Sequence, residues 1–240
     1  FKIITAASAL ENLEGIMEEE FICEGKLDLS GEVIPCYNEQ KHGNINLSKA
    51  MIYSCNTVFA QLGASLGRKN LIKTAESFGF NQDFLFKDIK LVASKLPLKS
   101  SVSDGKLGWT AVGQGDVLVT PMHMAMIGAA IANDGTMMEP KLLKQVIGRN
   151  DKLIKDFEPR PFKKVTSPEN AKIIQNMLKD AVEEGTGKNA KIAGVNIAGK
   201  TGTAEKQGEN GEWKNNAWFV GFAPVDKPSL SIAIVLEDLP

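Results

Sequence analysis

The sequence predicts an α+β fold: an antiparallel sheet flanked by helices, joined to an all-helical subdomain. Three observations predict it. The first part of the chain carries capped segments with helical spacing, the last part carries three strand-like runs divided by turn residues, and no stretch alternates strand and helix as a parallel sheet would. One domain over 1–240 is expected, its helical subdomain mainly in 1–135 and its C-terminal helix and sheet mainly in 140–240. The chain opens inside a helical pattern and stops just after a strand, so a module truncated at both ends is expected.

Composition narrows the class. The 240 residues are 43% hydrophobic and 24% charged, as in an ordinary globular protein with a substantial core. With 28 Lys+Arg against 29 Asp+Glu, no surface for nucleic acid or an anionic membrane is expected. No run is long and apolar enough to span a membrane.

Phe1–Glu20 reads as helix, with Ile4, Leu10, Leu13 and Met17 near helical spacing. Between Cys23 and Cys36, Leu27–Glu32 supplies the turn of a small hairpin. A bridge between those two cysteines fits an exported protein, and free thiols remain the alternative. Three cysteines with His42 raise the question of a metal, but their linear spacing matches no compact zinc pattern, so no metal ligand is expected. Asn46-Leu-Ser48 opens a helical stretch that runs through Thr57–Leu66 to Gly67, and Lys69–Phe78 forms a further short helix ended by Gly79. Residues 80–116 show the least periodicity and are expected to be a long connection.

Thr120-Pro121 caps a helix through Asn133, closed by Gly135, whose methionines 122, 124 and 126 read as core. Lys141–Ile147 reads as a strand. Thr166-Ser-Pro-Glu169 reads as a capping box opening a helix to Gly185. The closing strands are Val195–Thr203, Ala217–Ala223 and Leu230–Leu236, with turn chemistry over Gln207–Glu212.

Residues 194–203, G-V-N-I-A-G-K-T-G-T, fit two patterns at once. The first eight match a phosphate-binding loop. That chemistry needs a buried strand before the loop and a helix after it, so that backbone N–H groups meet the phosphates. Here two glycines and no apolar periodicity follow Thr201, and the spacer Val-Asn-Ile-Ala itself reads as strand. Lys200-Thr201-Gly202-Thr203 instead fits K-T-G on an edge strand. Lys200 supplies charge, Thr201 and Thr203 supply hydroxyls, and Gly202 leaves room for a ligand against the backbone.

Two further pieces belong with it. Ser54-Cys55-Asn56 fits S-x-N between two helical segments, and Phe1-Lys2 fits the end of S-x-x-K. Beside these stand Phe1–Glu11, His42-Gly43, Gly113-Gln-Gly115, Thr120-Pro121, Gly199–Glu205 and Ala217–Pro224. Together they resemble the transpeptidase module of class B penicillin-binding proteins, within the serine β-lactamase/D,D-peptidase superfamily, over essentially the whole chain. Phe78-Gly-Phe-Asn-Gln82 further resembles the subgroup of peptidoglycan transpeptidases of Gram-positive bacteria.

The resemblance implies a peptidoglycan D,D-transpeptidase that cross-links stem peptides through a serine acyl-enzyme and is acylated by β-lactams. It implies a nucleophilic serine three positions before Lys2, hence before residue 1, so the stretch given is expected to be inactive by itself. It makes Lys2 the base, which must be neutral and hence either desolvated or near another cation, with Lys200 the candidate for that cation. Ser54 becomes the proton relay, Asn56 the group that holds the substrate amide and Lys2, and Lys200, Thr201, Gly202 and Thr203 the carboxylate grip. The backbone N–H of Thr203 completes the oxyanion hole. It implies no cofactor and no metal. Its partners would be stem peptides, β-lactam antibiotics, other wall-synthesis proteins, and the membrane through an N-terminal anchor outside this chain. The implied location is the extracytoplasmic face of the bacterial cell membrane.

Rival functions share the fold. A class A β-lactamase needs a carboxylate to activate water, and no Glu between 76 and 184 has Asn four residues on. A lysine-dependent hydrolase or β-lactam sensor, a D,D-carboxypeptidase and a non-catalytic peptidoglycan-binding module remain alternatives. His42 and His123 fit no Ser-His-Asp role. Gln114 reads as a loop-shaping residue, and Trp218 as core or site wall.

Overall fold

The computed structural model describes residues 1–86, 89–207 and 210–239. Helix α1 (Lys2–Asn12) is the central element, and Ile3 through Ala9 are all buried. Its small residues let neighbours approach closely, and its buried hydroxyls are satisfied: Thr5 Oγ1 donates to Ala111 O at 2.7 Å, and Thr74 Oγ1 lies 3.1 Å from Ser8 Oγ. The helix is shorter than expected. Leu13 turns to extended backbone and Gly15 takes φ 70°, so the apolar residues at 13 and 17 belong to a turn.

Two hairpin-like pairs follow. β1 (Glu20–Cys23) pairs antiparallel with β4 (Gly43–Asn46), and between them β2 (Lys26–Leu29) pairs with β3 (Glu32–Pro35). The expected turn over 27–32 is thus a tight hairpin. Helix α2 (Leu47–Tyr53) starts where Asn46 accepts from Lys49 N–H, and ends at Ser54 in the left-handed region (φ 58°). Helix α3 (Asn56–Ser77) is interrupted at Gly67 (φ 67°, ψ 169°), which gives the two expected helical runs. A short pair, β5 (Phe84–Leu85) with β6 (Lys90–Leu91), follows.

The expected long connection over 80–116 contains a helix, α4 (Asp104–Val112), capped by Ser103 and ended by Gly113 at φ 91°. Its glycines hid it. A Cβ on Gly105 would sit 2.6 Å from Leu29 O, and one on Gly108 2.6 Å from Ile34 Cδ1. They are contact glycines that let the β2–β3 hairpin lie on α4.

Helix α5 (Pro121–Ala132) is capped by Thr120 as expected, with Met124 and Met126 buried; Met122, expected in the core, is exposed in the first turn. His123 is a core residue, its ring nitrogens 2.7 Å from Ser94 Oγ and 2.8 Å from Phe78 O. β7 (Thr136–Met138) pairs with β10 (Pro161–Lys164), and β8 (Gln145–Ile147) with β9 (Leu153–Asp156). Strand structure in the expected 141–147 stretch is thus confined to its last three residues. Helix α6 (Pro168–Glu183) is capped by Ser167, whose Oγ accepts from Asn170 N–H. The cap therefore sits one residue later than expected, the box from Thr166 to Glu169 does not form, and Thr166 Oγ1 is buried without a partner.

The main sheet has the order β11 (Ala198–Gln207), β12 (Trp213–Ala223), β13 (Leu230–Leu239), all antiparallel. All three expected strands form; β11 starts three residues later than expected and runs on to Gln207, β12 starts four residues earlier, and β13 ends three residues later. The turn expected over 207–212 falls partly on residues 208 and 209, outside the described residues. β11 pairs with β12 alone, so among the described residues it is an edge strand. Helices α5 and α6 lie against the sheet, with α6 beside β11 and α5 beside β12 and β13. β11 comes close enough to the start of α1 for the charge of Lys2 to act on Lys200, and it is tied to α2 through Thr186, which Lys200 bonds and whose N–H donates to Ile52 O. Gly199 and Gly221 face each other across β11 and β12, and a Cβ on Gly199 would strike the Phe219 ring at 2.4 Å.

Candidate active site

Four local structures converge at one place. Lys2 opens α1, Ser54 ends α2, Asn56 begins α3, and Lys200 lies on edge strand β11. Lys2 Nζ donates to Ser54 Oγ at 3.2 Å and to Asn56 Oδ1 at 2.7 Å. Asn56 Nδ2 donates to Pro35 O at 2.8 Å, which turns its oxygen toward Lys2. The left-handed φ of Ser54 ends α2 abruptly and places its hydroxyl beside Lys2.

Burial lowers the pKa of Lys2 from 10.5 to about 8, opposed by the cysteine sulfurs of Cys55 and Cys36. Lys200 is 7% exposed. It too is held well below the ordinary lysine range, first by burial and then by the charge of Lys2. Of the two expected causes, desolvation leads the depression of Lys2, while the charge of Lys2 acts on Lys200.

Lys200 Nζ donates to Thr186 Oγ1 at 3.4 Å and to Thr201 O at 3.2 Å, and Thr201 Oγ1 lies 2.8 Å from Thr186 Oγ1. No carboxylate neutralises Lys200 among its described contacts. A buried cation beside aligned hydroxyls is suited to an incoming carboxylate. Thr203 and Gly202 are exposed farther along the strand. A Cβ on Gly202 would meet only Trp218 Cβ, at an ordinary 3.5 Å, so packing within the chain does not require a glycine there. No helix follows Thr201; residues 198–207 are strand, which removes the phosphate-loop reading.

Two residues go beyond the sequence motifs. Thr186, between Gly185 and Gly187 just after α6, bridges Lys200 and Thr201. Its backbone N–H donates to Ile52 O at 3.3 Å, and a Cβ on Gly185 would lie 2.3 Å from that same oxygen. The signal was the Gly-Thr-Gly run at a helix end. Gln114 does more than shape a loop. Its Nε2 donates to Thr203 O at 3.1 Å and its Oε1 accepts from Glu205 N–H at 3.3 Å, so it pairs with the free edge of β11. Lys106 holds Asp116 at 2.6 Å just past Gln114 and keeps that carboxyl below its usual range.

The fold also gathers Cys23, Cys36, His42 and Cys55, with one donor atom of each within 4.8 Å of the others. Linear spacing gave no sign of this cluster. All three cysteines are free and buried. Cys36 is pulled below the ordinary thiol range by a hydrogen bond from Cys55, aided by the backbone N–H groups of Thr57 and Asn56.

A lysine set between a serine hydroxyl and an asparagine, with a Lys-Thr-Gly edge strand nearby, is the arrangement that the S-x-x-K, S-x-N and K-T-G motifs make in penicillin-recognising proteins. The model of the penicillin binding protein transpeptidase domain matches residues 1–240, and the chain belongs to that family. It is similar to stage V sporulation protein D of Bacillus subtilis, 35% identical over 99% of this chain and 37% of that protein. It is also similar to the peptidoglycan D,D-transpeptidase PbpA of Mycobacterium tuberculosis, 32% identical over 99% of this chain and 49% of that one. The chain thus spans half or less of the length of these relatives.

Among solved structures, the D,D-transpeptidase domain of a peptidoglycan glycosyltransferase from Eggerthella lenta superposes with TM-score 0.89 at 35% identity, covering 100% of this chain and 60% of that one. The ceftriaxone acyl-enzyme complex of M. tuberculosis penicillin-binding protein A superposes with TM-score 0.88 at 30% identity, covering 98% and 53%. The likeness confirms the expected fold class. No helix among the described residues is long and apolar enough to cross a membrane.

Proposed function

We propose that the intact protein is a peptidoglycan D,D-transpeptidase. The observation that carries this reading is the double hydrogen bond of Lys2 Nζ to Ser54 and Asn56, opposite the Lys200–Thr203 strand. The nucleophile is a serine three positions before Lys2, outside residues 1–240. Neutral Lys2 takes the hydroxyl proton as the serine oxygen attacks the scissile carbonyl of a donor stem peptide. The backbone N–H groups of Thr203 and of that serine hold the oxyanion. Ser54, in reach of Lys2, passes the proton to the leaving amine as the carbon–nitrogen bond breaks. Lys200, Thr201 and Thr203 grip the donor's carboxylate, and Asn56 positions its amide. An acceptor amine of a second stem peptide then attacks the ester, forms the cross-link and returns the serine its proton. A β-lactam follows the same first step and stays on the serine.

The acyl-enzyme structure of the mycobacterial relative and the names of the curated relatives support this reading. Cell-wall synthesis places the reaction outside the cytoplasm. In our reading, an anchor beyond this chain holds the module at the outer face of the cell membrane, among other wall-synthesis proteins.

The test is intact-mass spectrometry of the full-length protein with penicillin, followed by peptide mapping. One adduct on the serine three positions before Lys2 is expected, and none on residues 1–240 alone. A stoichiometric adduct on residues 1–240 alone would overturn the assignment of the nucleophile. A donor pentapeptide offered with an amine acceptor should yield cross-linked product. Hydrolysis alone would make the protein a D,D-carboxypeptidase.

A further inference from the structure

The formal charge of −1 hides two segments of strong and opposite charge. Residues 141–160 carry six Lys and Arg against three Asp and Glu, whereas residues 3–25 carry six Glu and no Lys or Arg. We propose that the basic segment of one molecule docks on the acidic segment of a second copy of this chain, head to tail.

The basic segment is the β8–β9 hairpin. Its two strands pair with each other alone among the described residues. Residues 142–147 and 149–156 are all exposed. A two-stranded hairpin by itself is only marginally stable in water. Leu142, Ile147, Leu153 and Ile154 are 52–73% exposed, and Ile147 stands opposite Leu153 across the strands. An apolar patch rimmed by charge marks a contact surface. A cleft of about 450 Å³ at the foot of the hairpin, lined in part by Met138, Leu142, Phe157 and Pro159, has room for an apolar side chain. Lys141 is held by Phe157 O and Lys155 stacks on the Phe157 ring. Lys144, Arg149 and Lys152 make no ion pair among the described residues.

The acidic segment supplies the matching set. Three of its six carboxylates already have partners within the chain: Glu11 with Lys73, Glu24 with Lys41, and Glu20 with the Asn44 amide. Glu14, Glu18 and Glu19 are exposed and make no ion pair among the described residues. They lie in the turn after α1 and run directly into β1, whose Ile22 is 68% exposed. β1 pairs with β4 alone among the described residues, so its other edge is open. Three unpaired cations around an apolar patch thus answer three unpaired carboxylates beside an exposed isoleucine.

The choice of occupant follows from this complementarity. An anionic lipid surface or polymer would meet the cations and leave the carboxylates without a partner, whereas a second copy satisfies both. A hairpin of this length offers roughly the 20–30 residues a side of an ordinary interface. The opposite charges steer the copies together and fix their orientation, and the apolar contact holds them. Two different surfaces meet, so the contact is head to tail. It closes as a dimer where both contacts form at once about a twofold axis, and otherwise extends as a chain. Nothing in it depends on the reading of the active site.

The test uses full-length protein. A carbodiimide joins a lysine to a carboxylate only where the two touch. Applied to a mixture of isotopically light and heavy protein, it should link Lys144 or Lys152 to Glu14, Glu18 or Glu19, a light peptide to a heavy one. This readout needs no variant. Sedimentation velocity should show an associated species whose dissociation constant rises at least about tenfold from ~50 mM to ~500 mM salt. Lys144→Glu, Arg149→Glu and Lys152→Glu together should abolish association with the melting temperature unchanged, as should Glu14→Lys, Glu18→Lys and Glu19→Lys together. An equal mixture of the two triple variants should associate again, because each hairpin then meets the opposite charge. A protein that stays monomeric at low salt, or variants that do not recombine, would overturn the proposal. Links confined to one isotopic form would make the hairpin an internal contact and overturn it as well.

Discussion

Lys2 Nζ and Asn56 Oδ1 lie 2.7 Å apart, joining the first residue of α1 to the first residue of α3. The contact makes the protonation of Lys2 sensitive to any charge placed at position 56. Asn56→Asp places a carboxylate on the ammonium, which favours the charged form of Lys2 and raises its pKa. The pH dependence of β-lactam acylation in the intact protein should move to higher pH in this variant. Stopped-flow acylation by a chromogenic cephalosporin across pH 6–11 reads the shift, and an unmoved profile would contradict the role.

In the unaltered protein the same profile has a defined direction. Lys2 serves as base only when neutral, and burial lowers its pKa to about 8. Acylation should rise with pH to a half-maximum at about 8 and level off above. Stability should also rise between about 8 and the unfolded value of 10.5, because the unfolded chain binds the proton that the folded chain has lost. Denaturant melts at stepped pH measure this.

Lys200 is buried without a carboxylate partner, which costs stability that a ligand would recover. Lys200→Met should raise unfolding free energy by on the order of 1 kcal/mol, while cutting penicillin acylation by roughly 10²-fold or more. A fall in both stability and acylation would mean that Lys200 is a packing residue.

Gly199 and Gly202, three residues apart on β11, should behave oppositely. Gly199→Ala drives a methyl into the Phe219 ring and should destabilise by about 1–3 kcal/mol. Gly202→Val meets no such obstacle and should leave the melting temperature within about 2 °C, yet slow acylation by blocking the strand edge. Thermal melts and acylation rates on the two variants separate the roles.

Gln114 pairs with the backbone of Thr203 and Glu205 through both ends of its amide. Gln114→Ala should loosen the edge that carries the proposed oxyanion donor, the N–H of Thr203. Acylation should fall about tenfold or more, with the melting temperature little changed, since Gln114 lies at an exposed edge. Gln114→Glu keeps the acceptor for Glu205 N–H but loses the donor, so it should recover only part of the rate.

The proposed catalytic corner and gripping strand were legible because their chemistry is local. S-x-N sits at a helix junction that Asn46 and Ser54 mark, and K-T-G-T lies on a strand marked by flanking apolar residues and turns. What escaped the sequence depends on contacts between distant segments. Helix α4 was hidden by Gly105 and Gly108, which lower helix propensity yet are needed where the hairpin lies on it. The start of α6 slipped one residue because Thr166 and Ser167 are both good caps, and only the fold chooses between them. Thr186 and Gln114 carry no motif of their own and gain meaning from β11. The cysteine–histidine cluster draws on four separate segments, so no compact spacing announced it.

The central claim is that Lys2 activates a serine three positions upstream. It is tested most directly by the second-order rate constant for penicillin acylation of the full-length protein against Lys2→Ala, with melting curves to confirm folding. A loss of roughly 10²–10⁴-fold is expected, with the disappearance of the limb at about pH 8. A folded Lys2→Ala protein that acylates at the original rate, with that limb intact, would contradict it.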